Sequence, residues 1–240
     1  MPAGIFRLIT TATERNPTWL SQGRNWSTSK QVKDYFLCEQ CESRFDRLGE
    51  KIVLPQCLRR SGAFPLRDSV LYKLGSPIGV TSFGASYSSA ALGSLVDALI
   101  YFGVSVFWRA AAHDWAATKN YTRLKLPPLS IRKFRQFLRG EASFPRDSVL
   151  VVGVIDGTEE IYCSSVFPRG LRRGRYYSGH FIVPGIRFDL YVGSGLRTED
   201  HNACIVRGPG NPIFVVDPDT AVTRVMMGVC ALDNTMPIEG

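Results

Sequence analysis

No stretch of this 240-residue sequence is apolar over the roughly 20 residues that a membrane-spanning helix needs. The longest apolar run, "ALIYFGVSVFW" at 98–108, has 11 residues bounded by Asp97 and Arg109 and reads as a buried helix. Cysteine is sparse: the six, at 38, 41, 57, 163, 204 and 230, are too unevenly spaced for a small disulfide scaffold. The opening "MPAGIFRLITTATERNPTW" lacks the apolar core of a secretory signal, so a cytoplasmic location and no membrane partner are expected. Neither Gly-x-Ser-x-Gly nor His-Glu-x-x-His occurs, which leaves hydrolase and metalloprotease readings without an anchor. "VRGPGNP" at 206–212 lacks the lysine and following helix of a phosphate-binding loop and reads as a turn.

Against these absences stands an ordinary folding composition, with 45% apolar and 21% charged residues. Lys and Arg number 29 against 21 Asp and Glu, a net charge of +8. That balance suits an anionic partner without distinguishing nucleic acid from acidic membrane or acidic protein, and a basic protein with no such partner shares it.

The pattern along the chain predicts an α+β fold. Residues 1–57 read as a knuckle-like N-terminal region, in which Phe45, Leu48 and Ile52 recur about a turn apart on a helix ending before Pro55. Residues 58–240 read as a second region: helical over 88–140, an antiparallel sheet over 147–217 and a closing helix over 219–232. Residues 56–87, rich in Gly, Pro and Ser, read as loop with short strands at most. The central helix, expected from about Ser88 to about Ala117, carries a polar stripe at every fourth position: Asp97, Tyr101, Ser105, Arg109 and His113. A shorter helix runs from Ser130, a candidate N-cap, to Gly140. After Phe144 the period changes to two. "SVLVVGVI" and "EIYCSSVF" flank "DGTE" as a hairpin, "RYYSGHFIV" and "IRFDLYVG" flank "PG", and "ACIV" and "IFVVD" follow as strands.

The pair in "KDYFLCEQCESRF" carries the most chemistry. Cys38 and Cys41 sit where a helix begins, a position that favours thiolates. As a redox pair they would ordinarily follow a strand in a parallel βαβ unit, which this segment does not open. As half of a zinc knuckle they need two more ligands, because structural zinc is four-coordinate. As ordinary cysteines they need nothing. Cys57 is a third ligand by spacing alone, and His113, His180 and His201 are fourth ligands by type alone.

"QVKDYFLCEQCESRFDRLGE" resembles the "K(D)xLLCxxCExRFxxxGE" segment of a family of bacterial proteins described as HNH-endonuclease-like. "FGVSVFWRAAAHDW" resembles that family's "SxxWRAxxHxW" helix, and "YYSGHFIVPGIRFDLYVG" falls where its sheet half is expected. The resemblance implies an upstream Cys-x-x-Cys knuckle followed by "SH(I/V)(I/V)P". The two knuckles would share a structural zinc in a ββα-metal-like finger, with that histidine as general base. Here Met1-Pro2 falls on the last two residues of that motif, so this sequence holds neither the first knuckle nor the histidine. The resemblance therefore implies a nucleic-acid-associated protein with an N-terminal zinc-knuckle remnant at Cys38 and Cys41 and no nuclease activity in this chain. A longer N-terminus would restore an HNH-like endonuclease. The alternative is a structural or protein-interaction module in which the sheet region is the working part and the cysteine pair is vestigial, or in which two copies form a homodimer sharing one zinc through Cys38 and Cys41.

"FPRGLRRGRYYSGH" supplies the other candidate site. Arg169, Arg172, Arg173 and Arg175 lie beside Tyr176 and Tyr177 in a loop between strands, a combination suited to phosphate contact and base stacking; a solvated hairpin tip has the same composition. Arg132, Lys133, Arg135 and Arg139 read as the wet face of the shorter helix.

Overall fold

A computed structural model describes residues 18–21, 24–27, 36–59, 61–81, 84–113, 124–156 and 166–216. The expected closing helix at 219–232 and most of "EIYCSSVF" lie outside the described residues. The fold is α+β, as the pattern predicts, with the helices gathered on a seven-stranded sheet.

Two strands, β1 (Thr18–Ser21) and β2 (Arg24–Ser27), pair as a separate antiparallel ribbon. The main sheet uses β3 (Gly79–Thr81), β4 (Gly84–Ser88), β5 (Ser148–Ile155), β6 (Val166–Arg173), β7 (Tyr176–Val183), β8 (Ile186–Gly193) and β9 (Pro212–Val216), in the order β3-β4-β9-β5-β8-β7-β6. The sheet is mixed rather than purely antiparallel, because β9 runs parallel to β5. Every residue of β5 is buried, which explains why "SVLVVGVI" is apolar without alternation: both faces of this central strand are covered.

The "PG" hairpin forms as expected, with β7 and β8 paired from Tyr176 opposite Gly193 to Val183 opposite Ile186. Gly185 has φ 78°, and a Cβ there would meet the Phe64 ring at 2.5 Å, so the turn requires glycine on both counts. Most of the expected "DGTE" hairpin, residues 157–165, lies outside the described residues, and among those described no two adjacent strands are joined by it. β5 pairs with β8 and β9, and the chain after residue 165 enters the sheet at its far edge as β6. "ACIV" is not a strand either; residues 203–206 form turns after a short helix, and Ile205 N–H donates to Leu150 O at 2.9 Å.

Helix α1 (Glu39–Phe45) continues through a π-helical turn (Asp46–Glu50), a short α turn (Lys51–Val53) and a 3-10 turn (Leu54–Gln56). A π turn inserts residues into the helical repeat and rotates everything beyond it. Phe45 therefore faces the core as expected, but Gly49 and Val53 follow it inward while Leu48 and Ile52 are each 39% exposed. Pro55 lies within the last turn instead of ending the helix before it.

Helix α2 (Pro65–Lys73) occupies the stretch expected to be loop; only Leu66 and Val70, four positions apart, are fully turned inward. Helix α3 (Ser94–Ala112) is shorter at both ends than its pattern suggests, because a 3-10 turn at Ser89–Leu92 and Gly93 precede it. Taken over its full length, Asp97 and Arg109 included, it is long and apolar enough to cross a membrane, unlike the 11-residue run read between those charges, yet 14 of its 19 residues are buried in the protein, so packing accounts for its apolarity. Helix α4 (Pro128–Leu138) starts with Pro128 at its first position, which places Ser130 inside the first turn and not at the cap. Gly140, at φ 75°, is the stop that was expected. A short helix, α5 (Thr198–Asn202), leads into the turns before β9.

The core lies where α3 crosses the sheet. Phe181 and Phe188 stack at 4.6 Å between ring centroids, and Phe107 and Phe102 close on them at 4.9 and 5.6 Å. Each buried ring contributes about 2–3 kcal/mol of transfer free energy. Phe45, Val53 and Cys57 belong to this same cluster, so the cysteine-bearing helix is packed into the body of the protein.

Candidate functional site

The polar stripe of α3 is what seats α1. Asp97 faces solvent, but one turn on Tyr101 is buried and its hydroxyl donates to Leu138 O at 3.0 Å, tying α3 to the end of α4. Ser105 donates back to Phe102 O at 2.8 Å, and Arg109 meets Glu50 of the π turn at 3.0 Å. The Arg109 guanidinium also lies 5.3 Å from the Phe45 ring centroid. His113, at the end of α3, and Trp108 pack on Phe36 at 4.9 and 5.3 Å. Together these interactions fix the chain just before Cys38 and the helix just after it.

Cys38 is the N-cap of α1, in extended conformation (φ −73°, ψ 158°), and Cys41 lies in its first turn. Cys38 is exposed, Cys41 partly buried, and both are free thiols. The Cys38 sulfur makes no full capping hydrogen bond, yet it is turned toward the amide and the thiol of Cys41. Those two groups, and then the Gln40 amide, hold the Cys38 thiol below its ordinary pKa. The Cys41 proton is retained instead: the interaction with Cys38 raises its pKa, with desolvation adding to it. Arg44 and Arg139 oppose that rise. Arg44, one turn beyond Cys41, donates to the backbone carbonyl of Arg139 at 2.7 Å, while the Arg139 guanidinium pairs with Glu141 at 2.8 Å. Arg44 is legible as an i+3 neighbour. Arg139 comes from another helix and carries no local signal.

Zinc requires more ligands than this. Among the described residues no group of three His, Cys, Asp or Glu side chains converges on a metal position. Cys57 is fully buried, with its thiol toward Val53 O at 3.7 Å and its pKa pushed up to about 12 by burial, the properties of a core residue. His113 packs on Phe36, His180 lies on β7 opposite Asp189, and His201 sits on α5. Cys38 and Cys41 alone do not make a four-coordinate site.

The arginine cluster is a hairpin rather than a loop. Arg169, Arg172 and Arg173 are on β6, opposite His180, Tyr177 and Tyr176, and only Gly174 and Arg175 form the turn. Gly174 supplies the positive φ, 58°, that a two-residue connection needs. Arg172 and Arg175 are exposed, and the Arg172 guanidinium lies 5.9 Å from the Tyr177 ring centroid. Beside them on β8, Arg187 forms a two-pronged pair with Asp189, both hydrogen bonds at 2.8 Å, and Asp189 is nearly buried. That pair is a structural feature of the strand.

No protein-family model, no curated protein and no solved structure matches this chain.

Proposed function

We propose that this chain is a nucleic-acid-associated module, akin to the HNH-like proteins it resembles, that holds nucleic acid without cutting it. The β6–β7 hairpin supports the reading: Arg172 and Arg175 are exposed at its end, next to Tyr176 and Tyr177, and Arg172 is stacked toward Tyr177. Guanidinium groups contact phosphates and tyrosine rings stack on unpaired bases, so a rigid two-residue turn presents both chemistries at low ordering cost.

The test is fluorescence anisotropy with short labelled single-stranded DNA and RNA across a salt series. Binding is expected to weaken steeply with salt. The Arg172→Ala/Arg175→Ala variant is expected to bind more weakly, with its log–log salt slope reduced by about 0.7 for each phosphate that an arginine no longer neutralises. No binding at low salt ends the reading.

A second reading, a protein-interaction module that pairs with itself, draws on Tyr72 of α2 and Ile78 and Val80 at edge strand β3, which are 82%, 54% and 82% exposed. Light scattering on the purified chain distinguishes it, because a Val80→Lys change would dissociate such a dimer.

A further inference from the structure

Three properties of Cys38 and Cys41 belong together. The residues between them are the start of α1, and helical geometry over three residues sets their Cα atoms roughly 5 Å apart. That separation is inside the range a disulfide spans without backbone movement, about 4.4–6.8 Å. Both side chains flank one helix end, Cys38 at the N-cap and Cys41 in the first turn, and both are free thiols. Exposure is asymmetric: an incoming reagent reaches Cys38, while Cys41 is partly covered. Reactivity of a thiol follows from such surroundings and not from the fold that provides them.

We propose that Cys38 and Cys41 are a reversible dithiol–disulfide couple that exchanges with low-molecular-weight disulfides, Cys38 attacking and Cys41 resolving. In the first step the Cys38 thiolate attacks one sulfur of a disulfide such as oxidised glutathione. A Cys38–glutathione bond forms, the original S–S bond breaks, and one glutathione thiolate leaves. That thiolate takes up the Cys41 proton. The Cys41 sulfur then attacks the Cys38 sulfur, the intramolecular disulfide forms and the second glutathione departs, gaining the proton Cys38 gave up. Two electrons pass from the protein thiols to the small disulfide, and two thiols are released.

The surroundings fit these roles. The Cys41 amide and thiol, then the Gln40 amide, favour the Cys38 thiolate, whereas Cys41 keeps its proton until the mixed disulfide removes the neighbouring charge. The positive charges of Arg44, held by its 2.7 Å hydrogen bond to the Arg139 carbonyl, and of Arg139 favour ionisation of the resolving sulfur at that moment. Glu50–Arg109 and the packing of Phe36 hold the segment still, so little backbone adjustment separates the two forms.

The experiment treats the full chain with oxidised glutathione and maps the products by mass spectrometry, without nucleic acid present, so its result is independent of the binding reading. Expected is the loss of two hydrogens from the peptide bearing both cysteines, reversed by dithiothreitol. Cys41→Ala is expected to stop at one glutathione on Cys38. Cys38→Ala is expected to lose rapid modification of the peptide, with unchanged circular dichroism and melting showing both variants folded. The proposal is overturned if the wild-type peptide accumulates glutathione adducts without closing. It is equally overturned if the purified protein carries zinc, at one equivalent or half, that shields both thiols until a chelator removes it.

Discussion

The Arg109 guanidinium lies 3.0 Å from the Glu50 carboxylate, with side-chain exposures of 19% and 15%, and so joins the last turn of α3 to the π turn that follows the cysteine pair. The pair is half-desolvated, so each charge depends on the other. Glu50→Ala is expected to destabilise the protein by about 1–3 kcal/mol, since it strands a cation against the Phe45 ring. Removing Arg109 as well should recover part of that loss. Urea denaturation of the two single variants and the double variant gives the coupling energy; a value near zero would make this an ordinary surface pair.

Gly103 is the point at which α3 comes closest to the sheet. A Cβ there would sit 2.8 Å from Cδ1 of Phe188 and 3.4 Å from Cδ2 of Leu150, and Phe188 is already stacked on Phe181. Alanine improves helix propensity by up to about 1 kcal/mol, but here the added methyl must push a buried ring. Gly103→Ala is therefore expected to lower stability by about 1–3 kcal/mol, read as a lower midpoint in thermal or urea unfolding. A stabilised variant would show that the helix can lift away from the sheet at little cost.

How much of this was legible depends on the range of the interaction. The β7–β8 hairpin was, because alternation in "IRFDLYV" and the Pro184-Gly185 turn are local signals. β5 was legible as a strand but not in its partners: "DGTE" argues for a hairpin, while the sheet instead places β8 and β9 beside it. Helix α2 was hidden because two inward residues in nine positions make almost no periodic signal. The π turn was hidden because a regular repeat assigns Leu48 and Ile52 the places that Gly49 and Val53 take. At the candidate site the two thiols and Arg44 were within reach of spacing arguments. Arg139 was not, since the carbonyl that holds Arg44 lies 95 positions away in the sequence.

Alkaline sensitivity follows from buried groups, among them Tyr101, Cys57 and Tyr191, whose hydroxyl is also pushed up by burial. Burial lifts the Tyr101 hydroxyl from 10.0 to about 12, and the Cys57 thiol from 9.0 to about 12. Between those values the unfolded chain has released protons that the folded protein still holds, so stability is full at neutral pH and declines as pH rises from about 9 toward 12. Tyr101→Phe removes one of these titrations and one hydrogen bond. It is expected to cost about 1 kcal/mol at pH 7 and to flatten the alkaline decline, measured by urea unfolding at a series of pH values. An unchanged slope would mean that Tyr101 ionises without unfolding the protein.

Arg207 organises the entry to the central strand through carbonyl oxygens alone. Its two terminal nitrogens donate to Pro145 O at 3.1 Å, Arg146 O at 3.3 Å and Ser148 O at 2.6 Å, with a longer hydrogen bond to Phe144 O at 3.4 Å. The guanidinium plane also lies 5.4 Å from the Phe144 ring centroid. Three of these carbonyls precede β5 and the fourth, Ser148 O, belongs to its first residue, and there the guanidinium supplies the donors that a neighbouring strand would otherwise provide. Arg207→Ala is expected to cost about 1–3 kcal/mol and to raise amide hydrogen exchange at residues 146–149 first. Lysine, a single point donor, cannot span the same set of oxygens, so Arg207→Lys should recover less than half of the loss. Full rescue by lysine would assign the effect to charge and not to the fork of donors.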